Sequence, residues 1–404
     1  MKIFLFDNYK AEIQLISVLI FFGCMAFIDR THAISYTALE ILAAYNIFSR
    51  VGKNIAYDKF FLHYGLIVVW AVIVTLLSPV AHTSFIALRY WLLPIVIFAS
   101  LYDFDILQAM RRYLWIPSIT LLFANIVLFI YWSGGEQSLI TNKIYAFCYY
   151  AIGDWTSKIY TSTVVLCLII FIWCYLEPSK YKNLLLIVNL ASGLLSYDRM
   201  FWFSLVIIIV TYLFVEKFRL STKKIFGMLT TLLVSIALIA LFLNYIGMDL
   251  HYKERFATYE YWFSVAHVSP VYGIGVGRDS LYYFYNTHYP VPSNIFLRNP
   301  FTPYTSHNFF LDLLLTQGFI GLSIYLFVLF QINSYSIKFA SNVKYKYVTF
   351  YISLAVYSKF LVDNQLDNRK ILIFWFFIIT SYLISTNYNK LNNNSYLNLN
   401  YEKK

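Results

Sequence analysis

The chain has 404 residues, 60% of them hydrophobic and only 13% charged, which leaves too little polar surface to coat a soluble globule of that size. A β-barrel would show short alternating segments, whereas residues 66–77, 121–132, 164–176 and 229–243 are unbroken apolar runs of helical length. The formal net charge of +11 falls mostly on loops between such runs, where it sets orientation and gives no evidence of a nucleic-acid partner. These features predict an all-α polytopic integral membrane protein, a single membrane domain over residues 1–404.

In chain order, runs able to span hydrocarbon number about twelve. The first, 13–28, lacks an A-x-A-like site behind it and reads as a span rather than a signal peptide; Asp29 follows in the first outside loop. Spans at 33–48, 61–79 and 85–101 come next, separated by Arg50, Lys53 and Lys59 on one side and a tight turn on the other. Asp103-Phe104-Asp105 has the D-x-D form by which many nucleotide-sugar glycosyltransferases hold a divalent metal. The charge distribution puts it in a solvated cytoplasmic loop. Spans at 114–132, 161–176, 184–197, 200–215 and 225–246 follow, with Lys180, Lys182, Lys217, Arg219, Lys223 and Lys224 on the same side as the earlier basic residues. The last spans are 308–330, 347–362 and 371–386. An Asn-rich tail over 387–404 is expected to be a disordered cytoplasmic end. Basic residues in short loops resist translocation, so both termini are expected in the cytoplasm. Cys24, Cys148, Cys167 and Cys174 lack metal-ligand spacing and read as small buried hydrophobes.

Two outside loops, 133–160 and 247–305, are long enough to fold over the membrane face, and loops of that length are usually functional or disordered. The second is rich in aromatic residues and carries His251, Lys253, Arg255, His267, Arg278 and Arg298, which argues against disorder. Phe256, Tyr259, Phe263 and Ala266 recur at helical spacing, predicting an amphipathic helix on the bilayer.

Three local patterns line up on the outer face: Ser196-Tyr197-Asp198-Arg199 in a turn between two apolar runs, the glycine-rich turn 270–278 ending in Arg278, and Ser306-His307-Asn308 opening a helix. In this order they resemble the O-antigen polymerase and O-antigen ligase family of bacterial inner-membrane glycosyltransferases. Members carry a Ser-Arg turn between two helices, a large periplasmic loop with a P-L-x-G-x-G-like turn, and His-Asn opening a helix that ends in a Gly-x-x-Gly-like pattern. The likeness covers about residues 190–330, and Ser196 stands two residues further from Arg199 than in many relatives.

The resemblance implies a donor glycan linked through a diphosphate to undecaprenol, an acceptor hydroxyl that attacks the anomeric carbon, and membrane lipids as surroundings. Such chemistry needs fixed positive charge on the diphosphate, and arginine stays protonated and binds phosphate bidentately. Arg199 and Arg278 are the candidates, with Arg255, Asp198 and Tyr282 as further substrate-binding residues. It also needs a hydrogen-bonding base at the acceptor, for which His307 is suited. No metal and no cofactor are expected, and a chain-length regulator is a candidate protein partner. Each assignment has a structural competitor. Arg199 and Arg278 could anchor to lipid headgroups, His307 could sit beside a helix cap formed by Ser306 or Asn308, and Tyr282 could belong to an interfacial aromatic belt. Gly318 and Gly321 read as close-packing residues outside the site.

Polymerase and ligase differ in acceptor, another lipid-linked repeat or the lipid A core. The heavy use of Asn, Lys, Ile, Tyr and Phe favours polymerase. A lipid-linked sugar flippase is the alternative from another class, because Glu40, Arg89 and Lys359 fall within spans. Against it, the chain shows no internal repeat and gathers its polar residues in one outer loop.

Overall fold

The computed structural model describes residues 10, 12–20, 22, 28–49, 52–133, 158–196, 198–218, 261–263, 265–288, 308–340, 342–360 and 370–401. Among them every regular element is helical. After a helical stretch at 12–20 come α1 (Ile28–Phe48), α2 (Gly52–Tyr57), α3 (Lys59–Leu77), α4 (Ala81–Leu101), α5 (Ile106–Tyr113) and α6 (Trp115–Ser133). The second half contains α7 (Lys158–Tyr175), α8 (Lys180–Leu195), α9 (Arg199–Phe218), α10 (Arg278–His288), α11 (Phe309–Lys338), α12 (Val348–Phe360) and α13 (Lys370–Tyr401). The expected span at 225–246 and most of both long loops lie outside the described residues.

By length and composition α3, α4 and α11 are each able to cross a membrane, and α5 with α6 makes a fourth candidate bent by 49°. The bend falls at Leu114, after a short amphipathic helix capped by Asp105 and ending in Arg111 and Arg112. The expected span 114–132 begins at this break, so α6 stands where it was expected and α5 precedes it. Two expectations change. Asp29, assigned to a loop, lies in the first turn of α1, and the segment 387–401, assigned to a disordered tail, continues α13. Once a helix is nucleated each added residue gains a hydrogen bond, so polar sequence can prolong an apolar helix.

Burial sorts the helices into a centre and a periphery. From Tyr160 to Ile172 in α7, and from Ile371 to Ser385 in α13, every residue is buried; helices apolar on all sides belong inside a bundle. Most of α12 is buried with them. The outer helices instead expose apolar stripes at helical spacing: Leu62, Leu66, Val69 and Ile73 on α3, Ile119, Phe123, Ile126 and Ile130 on α6, and Trp202, Val206, Ile209 and Leu213 on α9. Such stripes are unfavourable against water and neutral against hydrocarbon. The fold is that of a helical membrane protein.

Between helices, where packing rather than the hydrophobic effect drives association, polar side chains act as clamps. Asn125 of α6 donates to Ser192 Oγ of α8 at 2.8 Å and accepts from Thr161 Oγ1 of α7 at 2.8 Å. Asn189 reaches Ser118 at 2.8 Å, Asn333 meets Ser353 at 3.1 Å, and Ser358 meets Ser204 at 2.8 Å. Gly193 of α8 lies flat under the Phe201 ring of α9, where a methyl group would overlap the ring.

Replacing Asn125 with Ala removes two interhelical hydrogen bonds and is expected to cost about 0.6 to 1.7 kcal/mol per bond. The thermal midpoint in detergent should fall by several degrees. Ile119→Ala, on the exposed stripe of α6, should leave it nearly unchanged. Equal losses for the two variants would show that the polar clamp adds no stability.

Candidate active site

The first half of α11 organises the region. Asn308 caps it, its side chain accepting from Phe310 N at 2.9 Å and Leu311 N at 3.1 Å. The helix then runs to Gln317, breaks at Gly318 with φ 70° and ψ −176°, and resumes. At the break the carbonyls of Leu315 and Thr316 lose their usual partners, as do the amides of Phe319 and Ile320.

The glycine-rich turn supplies those partners. Ile274 N donates to Leu315 O at 3.2 Å and Gly275 N to Thr316 O at 3.0 Å. Phe319 N donates to Pro270 O at 2.8 Å and Ile320 N to Val271 O at 3.4 Å. Trp70 Nε1 of α3 donates to the Gln317 carbonyl at 3.0 Å. The two chains approach so closely that each glycine is required by the other side. A Cβ on Gly273 (φ 74°) would overlap the Thr316 carbonyl, and one on Gly318 would overlap the Val271 carbonyl. Gly321 abuts Trp70, and a Cβ there would lie 2.7 Å from the indole nitrogen. Gly321 therefore matches the close-packing reading, whereas Gly318 does more: it opens the helix to receive the loop.

The turn is fixed from below as well. Ser78 Oγ donates to Ile274 O at 2.7 Å, and Ser84 Oγ accepts from Val276 N at 2.8 Å while itself bonded to Thr75 at 3.0 Å. Directly after Gly277 the chain enters α10, so Arg278, half-buried, is its first residue. Leu281 and Phe284 of α10 pack with Leu311 and Leu315 of α11 and with Trp262 and Val265. Of the amphipathic helix expected before the turn, Phe256 and Tyr259 lie outside the described residues. Its end places Trp262 and Val265 inward and leaves Phe263 67% exposed.

α12 packs on another side of α11 and also on α9, next to the turn that precedes α9. Asp198 is 5% exposed and caps α9, its Oδ1 accepting from Met200 N at 3.0 Å. Its Oδ2 accepts from Ser162 Oγ of α7 at 2.5 Å and from the ammonium of Lys359 on α12, which also bonds Ser162. Lys359 is wholly buried. Burial alone would raise the Asp198 carboxyl, but the Lys359 charge and the hydrogen bonds from Lys359, Ser162 and Met200 outweigh it, holding the group below the usual carboxylate value. The residue after Lys359, Phe360, packs against Phe309, with ring centroids 5.0 Å apart. Successive helical residues are about 100° apart, so Phe309 and Leu311 face nearly opposite ways. The Arg278 helix therefore packs on one face of the tip of α11 and α12 on another, and α12 in turn holds the Asp198 turn.

Of the residues singled out in the sequence, Arg199 is the first residue of α9 and Tyr282 lies in α10. Arg255 and His307 lie outside the described residues. Three residues with buried polar side chains were not assigned a role: Lys359, Ser162 and Asp312. Asp312 is fully buried in the first turn of α11, where an acidic side chain faces the positive end of the helix dipole. A charge interrupting an apolar run was the signal available for Asp312 and Lys359; for Ser162 there was none. Glu40 and Arg89 stand on exposed helix faces. The D-x-D pair has structural partners: Asp103 bonds Lys10, Gln14 and Asn46, and Asp105 caps α5. Asp103 is thus a tethering carboxylate and not simply a solvated one. Cys167 and Cys174 are buried, as expected; the other two cysteines are outside the described residues.

A helical membrane protein with a glycine-rich turn set into a broken helix is the class that the fold and site define. Within it, a family model described as O-Antigen ligase matches residues 184–326, and the chain is similar to the O-antigen polymerase and ligase family over that segment. The segment holds the Asp198 turn, the glycine-rich turn and the start of α11. No curated protein matches the chain.

Gly318→Ala and Gly273→Ala should each destabilise the protein by at least about 2 kcal/mol, combining a left-handed backbone with overlap against a carbonyl. Gly65→Ala on α3, where a Cβ meets nothing within 4 Å, should be neutral or slightly stabilising. Thermal melts of the three variants in one detergent make the comparison, and normal stability of Gly318→Ala would contradict the junction.

Proposed function

We propose that the protein is an O-antigen polymerase of the bacterial inner membrane, extending a glycan carried on undecaprenyl diphosphate. In this reading the chain crosses the membrane about twelve times, both termini are cytoplasmic and residues 247–305 lie in the periplasm. The observation that supports it best is the family match over residues 184–326, which holds both arginine-bearing segments and the tip of α11, together with the packing of the Arg278 helix on that tip and the link from the tip through α12 to the Asp198 turn.

The acceptor hydroxyl attacks the anomeric carbon from the face opposite the diphosphate. His307 takes its proton, the new glycosidic bond forms, and the bond to the diphosphate oxygen breaks with inversion. Arg199 and Arg278 bind the diphosphate and stabilise the charge that grows as it leaves. Arg255 and Tyr282 contribute to holding the glycan, and Asp198 fixes the turn that carries Arg199. No divalent metal is assigned a role. The same groups serve a ligase, whose acceptor is the lipid A core. The transporter reading loses support, because Lys359 is held by Asp198 and Glu40 and Arg89 lie on exposed helix faces.

O-antigen ladder formation in a polymerase-null strain tests the assignment, with membrane abundance followed by immunoblot. His307→Ala should cut turnover by about 10²- to 10⁴-fold at normal abundance. Arg199→Lys should lose most activity although charge is kept, because lysine lacks the planar fork. Asn308→Ala should cost far less activity and act mainly through the lost cap. A normal ladder from His307→Ala would remove the proposed base. Glycan appearing on lipid A core in a strain lacking its ligase, without repeat-unit extension, would assign the ligase reaction instead.

Orientation is open to a separate check. A reporter fused near Tyr285 should be active only if it is a periplasmic type, and cytoplasmic-reporter activity there would overturn the site assignment. Activity of the purified protein on a lipid-linked substrate should persist in excess chelator; loss restored by magnesium or manganese would refute the metal-free mechanism.

A further inference from the structure

The geometry points to Lys359 as a positioning residue: through Asp198 and Phe360 it sets the Arg199 turn against the tip of α11. This inference rests on the proposed roles of Arg199 and His307. It concerns a residue and a helix beyond the family match, which ends at 326.

Three observations carry it. Lys359 is 0% exposed, and its ammonium bonds one oxygen of Asp198 together with Ser162. The other oxygen of Asp198 caps α9 at Met200, and its backbone carbonyl accepts from Phe201 N at 3.1 Å. The residue immediately before Arg199's helix is therefore fixed in both side chain and backbone. Finally, Phe360 next to Lys359 packs on Phe309, and Tyr357 one turn earlier lies with its ring centroid 6.0 Å from that of Phe309. A single turn of α12 thus touches both arms of the site.

A lysine beside a serine can also act as the base of a nucleophilic pair. Here the Lys359 nitrogen is already engaged by the Asp198 carboxylate as well as by Ser162, an ion-pair geometry rather than that of a serine-lysine pair. Its role is charge and position. A buried ion pair adds little stability compared with a neutral pair of similar shape, whereas removing one partner leaves a costly uncompensated charge. Retaining such a pair for stability alone has no advantage here; it fixes direction, because the ammonium holds one carboxylate oxygen and leaves the other for the cap.

The test uses the full chain in lipid nanodiscs, with lipid-linked oligosaccharide extracted from the polymerase-null strain as probe. Lys359→Met and Asp198→Asn alone each leave one partner unmatched and should lower abundance. The double variant Asp198→Asn/Lys359→Met removes both charges and keeps a residue able to cap α9. It should recover the thermal midpoint, yet turnover should fall by about 10²-fold while KM stays within about 3-fold. Wild-type turnover in the stable double variant would overturn the inference. If the double variant does not accumulate, Ser162→Ala decides. It removes only one hydroxyl, and should lower turnover by about 10-fold at unchanged stability; unchanged turnover would overturn the inference as well. Arg199→Ala serves as the reference. If it stays active the function assigned to Arg199 fails, whereas if it is inactive and the double variant is active only the positioning role fails.

Discussion

A helix that breaks at membrane depth must find new partners for its backbone, because hydrocarbon offers none and each unsatisfied group costs several kcal/mol. That constraint shapes the region around α11. α11 opens at Gly318, and the freed carbonyls of Leu315 and Thr316 and amides of Phe319 and Ile320 are matched by the main chain of residues 270–275. The loop is therefore part of the helix's hydrogen bonding. Its position is determined by the transmembrane segment, and so is the start of α10 at Arg278.

The opposite side of the same helix end is held differently. There the contact is aromatic, Phe309 on Phe360, and the turn of α12 that carries Phe360 also holds Lys359 against Asp198 and Ser162. A main-chain junction on one flank and an aromatic contact with α12 on the other give the tip of α11 two unlike supports. Catalysis of the proposed kind depends on aligning groups from separate elements to within fractions of an ångström, which rigid supports of this sort provide. The central helices α7 and α13, buried throughout 160–172 and 371–385, both pack against α12.

Much of the helical layout was legible in the sequence, because apolar runs of spanning length are the strongest signal a chain carries. The described helices from α3 to α13 stand at the expected apolar runs, apart from the short α5 and α10. The three outer-face patterns were also visible as local motifs, and the family match overlies them. What could not be read were relations between distant segments. Gly318 looked like a packing residue because the turn it admits, residues 270–275, is far away in sequence and the bonds that join turn to helix belong to the backbone, which leaves no mark in side-chain identity. Lys359 stood out as a charge in a span, but its pairing with Asp198 spans 161 positions. The short α5 was hidden because Gln108, Arg111 and Arg112 leave it without an apolar run of spanning length.

The junction between loop and helix has an evolutionary consequence. Its bonds are made almost entirely by amides and carbonyls, with two glycines providing clearance, so they make no demand on the other side chains of the loop. Side chains of the loop can then be exchanged without moving the frame. Under the proposed function, selectivity and alignment are encoded in separate parts of the chain.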